Sequence, residues 1–356
     1  MIIYVYKVVM PMLCNRCEKI EIFHSNDNAV YTYVPTHHHE PLLEQHLKNK
    51  GYQYEKFDSY ILVDVNDLET YVRDLRIIFN QIEASDIKLL PFNKNRGLIF
   101  EDIKNMKTLW QWIDFVIESK DILYVVNQKS FLVMYQPIMN LKENTIYGYE
   151  ALIRGIDEAG NVIPPYRLFE QAKKMDLVFN LDKAARETII EDAAKKGLTK
   201  QLFINFLPTS IYKPELCLKT TNNAIAKSKL NPSQITFEVV ETERIKDYDH
   251  LNEILDYYKK QGFQTALDDV GAGYNNKDVI KKLKPQIIKI DRDITANIHE
   301  NKTNQVILNE YIELANELNI DVLVEGVETA LEDQYIKTLN IKYSQGYYYG
   351  KPKESL

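Results

Sequence analysis

Cysteine is scarce in this chain: Cys14, Cys17 and Cys217 are the only three among 356 residues. Three thiols exclude a disulfide framework, and a reducing cytoplasm is the expected setting. Long apolar runs are missing too. The stretch 1–13 is apolar, but it is shorter than the ~20 residues of a membrane span and lacks the basic start of a secretory signal. No membrane span is expected, and Met10 and Met12 offer alternative starts. Basic excess is also absent, since 44 Lys and Arg face 51 Asp and Glu for a net charge of −7. That balance argues against polymeric nucleic acid as a partner, because such binding needs cations set against phosphates. A phosphate-bearing substrate would have to be met by bound metal or by local cations. The seven histidines lie outside the barrel motifs described below, and no serine-centred nucleophile elbow occurs.

What the chain does have is length and alternation. At 356 residues with 45% hydrophobic content, one large and one small domain is the natural layout. The expected boundary puts a small α/β module with a helical lead-in at 1–122 and a larger domain at 123–356. In the larger part, short apolar runs at 131–137, 147–152, 202–206, 235–239, 265–267, 287–290, 322–324 and 343–344 read as strands. Amphipathic stretches such as 181–194, 251–261 and 303–318 lie between most of them. Eight strands with this spacing fit a (β/α)8 TIM-like barrel better than an open doubly wound sheet. The first two strands are separated only by 139–146, a connection that suits a hairpin and makes the start of the barrel irregular.

Acidic residues recur where those strands end. Glu150, Glu238, Asp268, Asp269 and Glu325, with Asn205 and Lys289, all fall at or just past strand ends, the side on which such barrels carry their chemistry. Any one of them could merely cap a helix or begin a turn. Five carboxylates converging on one mouth would repel one another and raise each other's pKa unless a cation neutralises them. An all-oxygen donor set favours Mg²⁺ or Mn²⁺ over zinc. Lys289 beside them could pair with a carboxylate, and Arg154 offers a planar fork suited to phosphate, although either could be a plain ion pair.

At these residues the chain resembles the EAL-domain family of cyclic di-GMP phosphodiesterases. The likeness runs from about Tyr124 to Pro352 through eight segments in order. They are Tyr135-Gln136-Pro137-Ile138, Glu150-Ala151-Leu152-Ile153-Arg154, Asn205 with Pro208, Glu238-Val239-Val240-Glu241, Asp268-Asp269-Val270-Gly271-Ala272-Gly273-Tyr274, Lys289-Ile290-Asp291, Glu325-Gly326-Val327-Glu328-Thr329 and Gln345-Gly346-Tyr347 ending at Lys351-Pro352. The resemblance implies hydrolysis of cyclic di-GMP to linear pGpG with two Mg²⁺ or Mn²⁺ ions. It implies that Glu150, Asn205, Glu238 and Asp268 hold one metal, that Asp268 and Asp269 hold the second, and that Glu325 completes the second environment. Lys289 would orient the attacking water. Gln136, Arg154 and Gln345 would contact the nucleotide, and Glu241 would brace the loop 269–276, which in this family links the metal site to a homodimer interface on the barrel. That loop departs from the common form at Val270, Ala272, Asn275 and Asn276, while both aspartates and both glycines remain. A competing class is a receptor that binds cyclic di-GMP without cutting it; the full set of metal ligands with Lys289 and Glu241 speaks for the enzyme.

The first hundred-odd residues say less. Strand-like 19–23, 30–34 and 60–65 and helix-like 42–49 and 67–82 suggest a small α/β regulatory or interaction module, with a helical lead-in at 105–119. Cys14 and Cys17 have zinc-knuckle spacing, and with His24 they could hold a structural Zn²⁺. A second pair at standard spacing is missing. Two spare thiols beside a solvated His37-His38-His39 run are the plainer reading.

Overall fold

The computed structural model describes residues 28–118, 120–208, 211, 213–239, 247–271 and 276–356. It divides into two compact units. One holds the described residues up to Gln128 together with Leu168–Asp176, and the other holds Lys129–Arg167 and Leu177–Leu356.

The first unit runs β1 (Ala29–Tyr33), α1 (His39–Lys50), β2 (Tyr54–Phe57), β3 (Tyr60–Asp64), α2 (Leu68–Ile78), α3 (Gln81–Asp86), β4 (Lys88–Phe92), β5 (Lys107–Thr108), α4 (Leu109–Ile113) and α5 (Lys120–Gln128). Its sheet has the order β2-β3-β1-β4-β5, antiparallel throughout. The first four strands and two helices therefore form a split βαβ arrangement. Period-2 alternation turns Val30 and Thr32, Ile61 and Val63, and Leu89 onto the helices. There Thr32 and Tyr71 satisfy each other's buried hydroxyls at 2.7 Å. The helix-like run 67–82 divides in two for a local reason. Phe79 is extended and buried, and Asn80 restarts the helix with a capping box closed by Glu83. The strands β2 and β4 escape sequence reading because Tyr54–Phe57 is mostly exposed and Lys88–Phe92 carries Pro91. The expected strand 19–23 lies outside the described residues.

The second unit begins with β6 (Phe131–Asn140), β7 (Thr145–Ile156) and β8 (Val162–Ile163) and, after α6 (Pro165–Lys174), which from Leu168 on belongs to the first unit, resumes with α7 (Val178–Lys195) and β9 (Gln201–Phe206). It continues through α8 (Pro214–Cys217), α9 (Lys219–Ser228), β10 (Ile235–Val239), α10 (Tyr248–Lys260), β11 (Gln264–Val270), α11 (Lys277–Leu283) and β12 (Ile287–Ile290). It ends with α12 (Arg292–Thr295), α13 (Lys302–Leu318), β13 (Asp321–Val324), α14 (Ala330–Lys337) and β14 (Tyr343–Gln345). Eight strands close a ring in the order β6-β14-β13-β12-β11-β10-β9-β7 and back to β6, with β8 added beside β7. This is the (β/α)8 barrel that the alternation implies. Its irregular start is real: β6 runs antiparallel to both neighbours, and β6 and β7 form one long hairpin.

Two faces of the ring pack differently. The outward side chains of the strands meet the helices in one large apolar cluster. Inside the ring sits a small plug of Ile138, Phe203, Ala266, Ile287, Leu323 and Tyr343, with Tyr147 stacked on Tyr343 at 4.1 Å between ring centroids. A side chain two residues beyond each plug residue must also point inward, one layer higher. That rule builds the site.

Candidate metal centre

One layer above the plug, the strands supply Gln136 two residues before Ile138 on the reversed strand β6. They also supply Asn205 after Phe203, Asp268 after Ala266, Lys289 after Ile287, Glu325 after Leu323 and Gln345 after Tyr343. Glu238 stands in register beside Asn205, and Glu150 beside Gln136. The sequence expectation needs correcting for Glu150. It lies in the middle of β7, because the hairpin with β6 continues past it, whereas the parallel pairing with β9 stops at Ala151.

Asp268 and Asp269 are adjacent in β11, so a regular strand would send them to opposite faces. The ladder with β12 is irregular between Leu267 and Val270, and Asp269 adopts φ 51°. That bulge brings both aspartates to one side. Carboxylate oxygens of Asp268, Asp269 and Glu325 come within 4.8 Å of one another, a spacing that one cation could span.

Lys289 occupies the centre. Its Nζ stands 2.9 Å from Asp268, 2.9 Å from Glu325, 3.0 Å from Glu238 and 3.9 Å from Glu150, with the side chain 1% exposed. Burial opposes its charge, but Asp268, Glu150, Glu238 and Glu325 outweigh that and hold the ammonium charged well above the ordinary lysine range. One cation does not balance five carboxylates. Burial drives Glu238 well above the usual carboxylate range against the pull of Lys289. Burial, with Asp268 beside it, pushes Asp269 up to about 6. Glu325 is pushed up to about 8 by burial, with Asp268 and Glu150 adding to it.

The amides fix the rest. Asn205 donates Nδ2 to Glu150 Oε1 at 3.0 Å, and Gln345 donates Nε2 to Glu150 Oε2 at 2.7 Å. Both amides leave a buried carbonyl oxygen without a hydrogen-bond partner among the described residues. An orphaned acceptor in a site already crowded with acceptors has no donor to meet; a cation satisfies it. The donor set is all oxygen, with no histidine or cysteine in it, so it fits hard divalent ions.

Arg154 lies four residues beyond Glu150 on the hairpin, half-buried, with Nη1 donating to the Ile153 carbonyl at 2.7 Å. Gln136 is half-buried beside Glu150. Glu241, Cys14, Cys17 and His24 lie outside the described residues. Sequence reading names Asp291 in the Lys289-Ile290-Asp291 segment but gives it no role. It caps α12 through Asp293 N at 2.7 Å, and its charge contributes to the raised pKa of Asp269. Its one signal is its place directly after Lys289 and Ile290.

The EAL domain model matches residues 119–352, about two thirds of the chain and the whole barrel. The chain belongs to the EAL domain family. A probable cyclic di-GMP phosphodiesterase from Escherichia coli K12, PdeG, is 29% identical to this EAL protein over 233 residues, covering 64% of this chain and 45% of that one. An uncharacterized signaling protein from Caulobacter vibrioides is 26% identical over 234 residues, or 66% of this chain and 29% of its own length. The EAL protein thus spans less than half the length of these curated relatives. A crystal structure of a standalone versatile EAL protein from Vibrio cholerae O395, in its c-di-GMP bound form, matches at TM-score 0.58 with 38% identity. It covers 64% of this chain and 94% of that one. Klebsiella pneumoniae BlrP1, solved as a calcium/cy-diGMP complex, shares the fold at TM-score 0.58 and 19% identity over 92% of this chain and 97% of its own. Among the described residues, no helix is long and apolar enough to cross a membrane.

Proposed function

We propose that this EAL protein is a metal-dependent cyclic di-GMP phosphodiesterase that opens one phosphodiester to give linear pGpG. The observation that carries the reading is the inward layer in which Glu150, Glu238, Asp268 and Glu325 surround one buried ammonium beside an orphaned Asn205 oxygen, with Asp269 close to Asp268 and Glu325. Five carboxylates against one ammonium leave four formal negative charges, the charge of two divalent cations. Glu150, Asn205, Glu238 and Asp268 would hold one ion, and Asp268, Asp269 and Glu325 the other. Two such ions, Mg²⁺ or Mn²⁺, supply charge neutralisation for the phosphodiester and a water acidic enough to lose its proton near neutral pH.

The chain's own residues do the remainder. Lys289, kept charged by its neighbours, donates a hydrogen bond to the attacking water and offsets the charge that develops on it. Gln345 and Asn205 fix Glu150 between two amide donors, so its oxygens keep one orientation. Gln136, Arg154 and Gln345 contact the nucleotide, Arg154 by turning its guanidinium fork from Ile153 to a phosphate oxygen. Glu241 braces the loop after β11. The protein works in the cytoplasm as a homodimer through its barrel, with residues 1–122 as a regulatory or interaction module ahead of the barrel at 123–356. The test is direct. Purified protein is incubated with cyclic di-GMP and Mg²⁺ or Mn²⁺ and the products are separated by chromatography; pGpG is expected. Tight binding in Ca²⁺ with no product in either metal would replace the enzyme by a receptor.

A further inference from the structure

The one-turn helix α12 directly follows the Lys289 strand, and it touches the backbone just past Asp269 on one side and at Glu325 on the other. On one side, Asp291 N donates to Val270 O at 3.1 Å, and Ile294 packs onto Gly271 so closely that a Cβ there would collide with its Cδ1. On the other side, Thr295 Oγ1 donates to the Glu325 carbonyl, and Arg292 Nη1 donates to the Gly326 carbonyl. A Cβ on Gly326 would lie 2.7 Å from Arg292 Cβ. Both glycines have positive φ, 96° and 67°. Each contact is thus backbone against side chain, at a place where only glycine fits.

The helix cannot drift. Asp291 caps it, Asn304 Nδ2 donates to the Asp293 carbonyl at 2.9 Å, and Gln305 Nε2 donates to Ile298 O at 2.7 Å. Ile294 is 4% and Thr295 1% exposed. Side chains locked this way act as a spacer. Shifting α12 by a fraction of an ångström would change the separation between Asp269 and Glu325, because one loop leans on Ile294 and the other hangs from Thr295.

We propose that Thr295 and Ile294 are positioning residues that set the gap between Asp269 and Glu325, and so the affinity of the second of the two divalent ions. The proposal rests on the two-ion reading above. Neither side chain touches the ion; each acts through a backbone contact, and outer contacts of this kind alter metal affinity by about 10–100-fold when removed.

The test uses the full chain and Mn²⁺ alone, titrated by calorimetry, with thermal unfolding in parallel. Thr295→Val keeps the shape and loses the hydrogen bond to Glu325 O. It should weaken the weaker Mn²⁺ step about tenfold and leave the tighter step as in wild type, and Thr295→Ser should restore it. With cyclic di-GMP, the half-saturating Mn²⁺ concentration should rise by a similar factor, with kcat at saturating Mn²⁺ nearly unchanged. Ile336→Val, a buried change in the last turn of α14, should leave both Mn²⁺ steps unaltered. Two wild-type steps in Thr295→Val, or an equal loss in Ile336→Val, would overturn the proposal. If Thr295→Val does not fold, Ile294→Val decides, with a two- to threefold weakening of the same step expected and no change counting against it. A wild-type chain that binds fewer than two Mn²⁺ would instead remove the two-ion reading itself.

Discussion

Lys289 Nζ stands 3.0 Å from Glu238 Oε1, and neither side chain reaches water, at 1% and 0% exposure. The contact is one of charge and is not aligned as a hydrogen bond, since both Glu238 oxygens lack hydrogen-bond partners. A buried pair of this kind would ordinarily be balanced. Here Asp268 and Glu325 press on the same ammonium, so the site keeps an excess of negative charge that the fold alone does not relieve.

Removing the ammonium should therefore expose that excess. Lys289→Met is expected to destabilise the metal-free protein by about 3 kcal/mol at pH 7, because buried carboxylates lose their one cation. Urea unfolding in the presence of a chelator measures it. Mn²⁺ should stabilise the variant at least as much as wild type, since every ligand remains, while turnover stays lost. A variant as stable as wild type without metal would mean that the acids are already neutral.

The raised acids give stability a pH dependence of known sign. Asp269 titrates at about 6 and Glu325 at about 8 in the fold, above the ~4 of an unfolded carboxylate. Between those values the folded state binds more protons than the unfolded one, so stability falls as pH rises. The site's contribution is fully present below about pH 4 and is lost by about pH 8. Melting temperatures of the metal-free protein from pH 5 to 9 should fall more steeply for wild type than for Asp269→Asn or Glu325→Gln. Mn²⁺ should flatten the wild-type curve and release protons on binding, which calorimetry in two buffers of different ionisation enthalpy detects. Parallel curves for all three proteins would contradict the assignment.

Much of the barrel and its mouth is legible in the amino-acid order. Eight short apolar runs mark the ring, and the acids beside them mark its mouth, because a period of two fixes which side chains share a face. The consecutive pair Asp268-Asp269 is legible as residues but not as geometry, since only the bulge after Leu267 turns both inward. Glu150 reads as a strand end because Ala151 to Ile156 has no apolar alternation strong enough to announce a hairpin extension. The tie from Thr295 to Glu325 O spans 30 residues, and no local pattern encodes it.

Glu150 is the residue on which the amides converge, so its removal should be read twice. Glu150→Ala is expected to lower turnover at least a hundredfold, with the circular dichroism of the barrel unchanged, since it lies above the apolar plug and not within it. Asn205→Ala should lose less, because it removes one neutral ligand and no charge. Product formation in Mg²⁺ ranks the two. Near-normal turnover in Glu150→Ala would displace it from the first metal.

A second buried pair lies behind the same wall and can be tested without metal. Arg186 in α7 is 0% exposed, and its Nε and Nη2 donate to Asp182 Oδ2 at 3.0 and 2.7 Å, while Nη1 reaches Thr221 in α9. Asp182 Oδ1 also accepts from Leu207 N at 3.2 Å, two residues past Asn205. The pair joins two helices to the exit of the strand that carries a proposed ligand. Asp182→Ala strands a guanidinium out of reach of water, which costs about 3–5 kcal/mol. Replacing both partners by apolar side chains, Asp182→Leu with Arg186→Met, should recover most of that loss, because no charge is then left buried. Urea unfolding of the single and double variants gives the coupling. The double variant should still bind Mn²⁺ more weakly than wild type at equal stability, because Leu207 N has lost its acceptor and Asn205 its anchor. Equal Mn²⁺ affinity in the two proteins would confine Asp182 to stability alone.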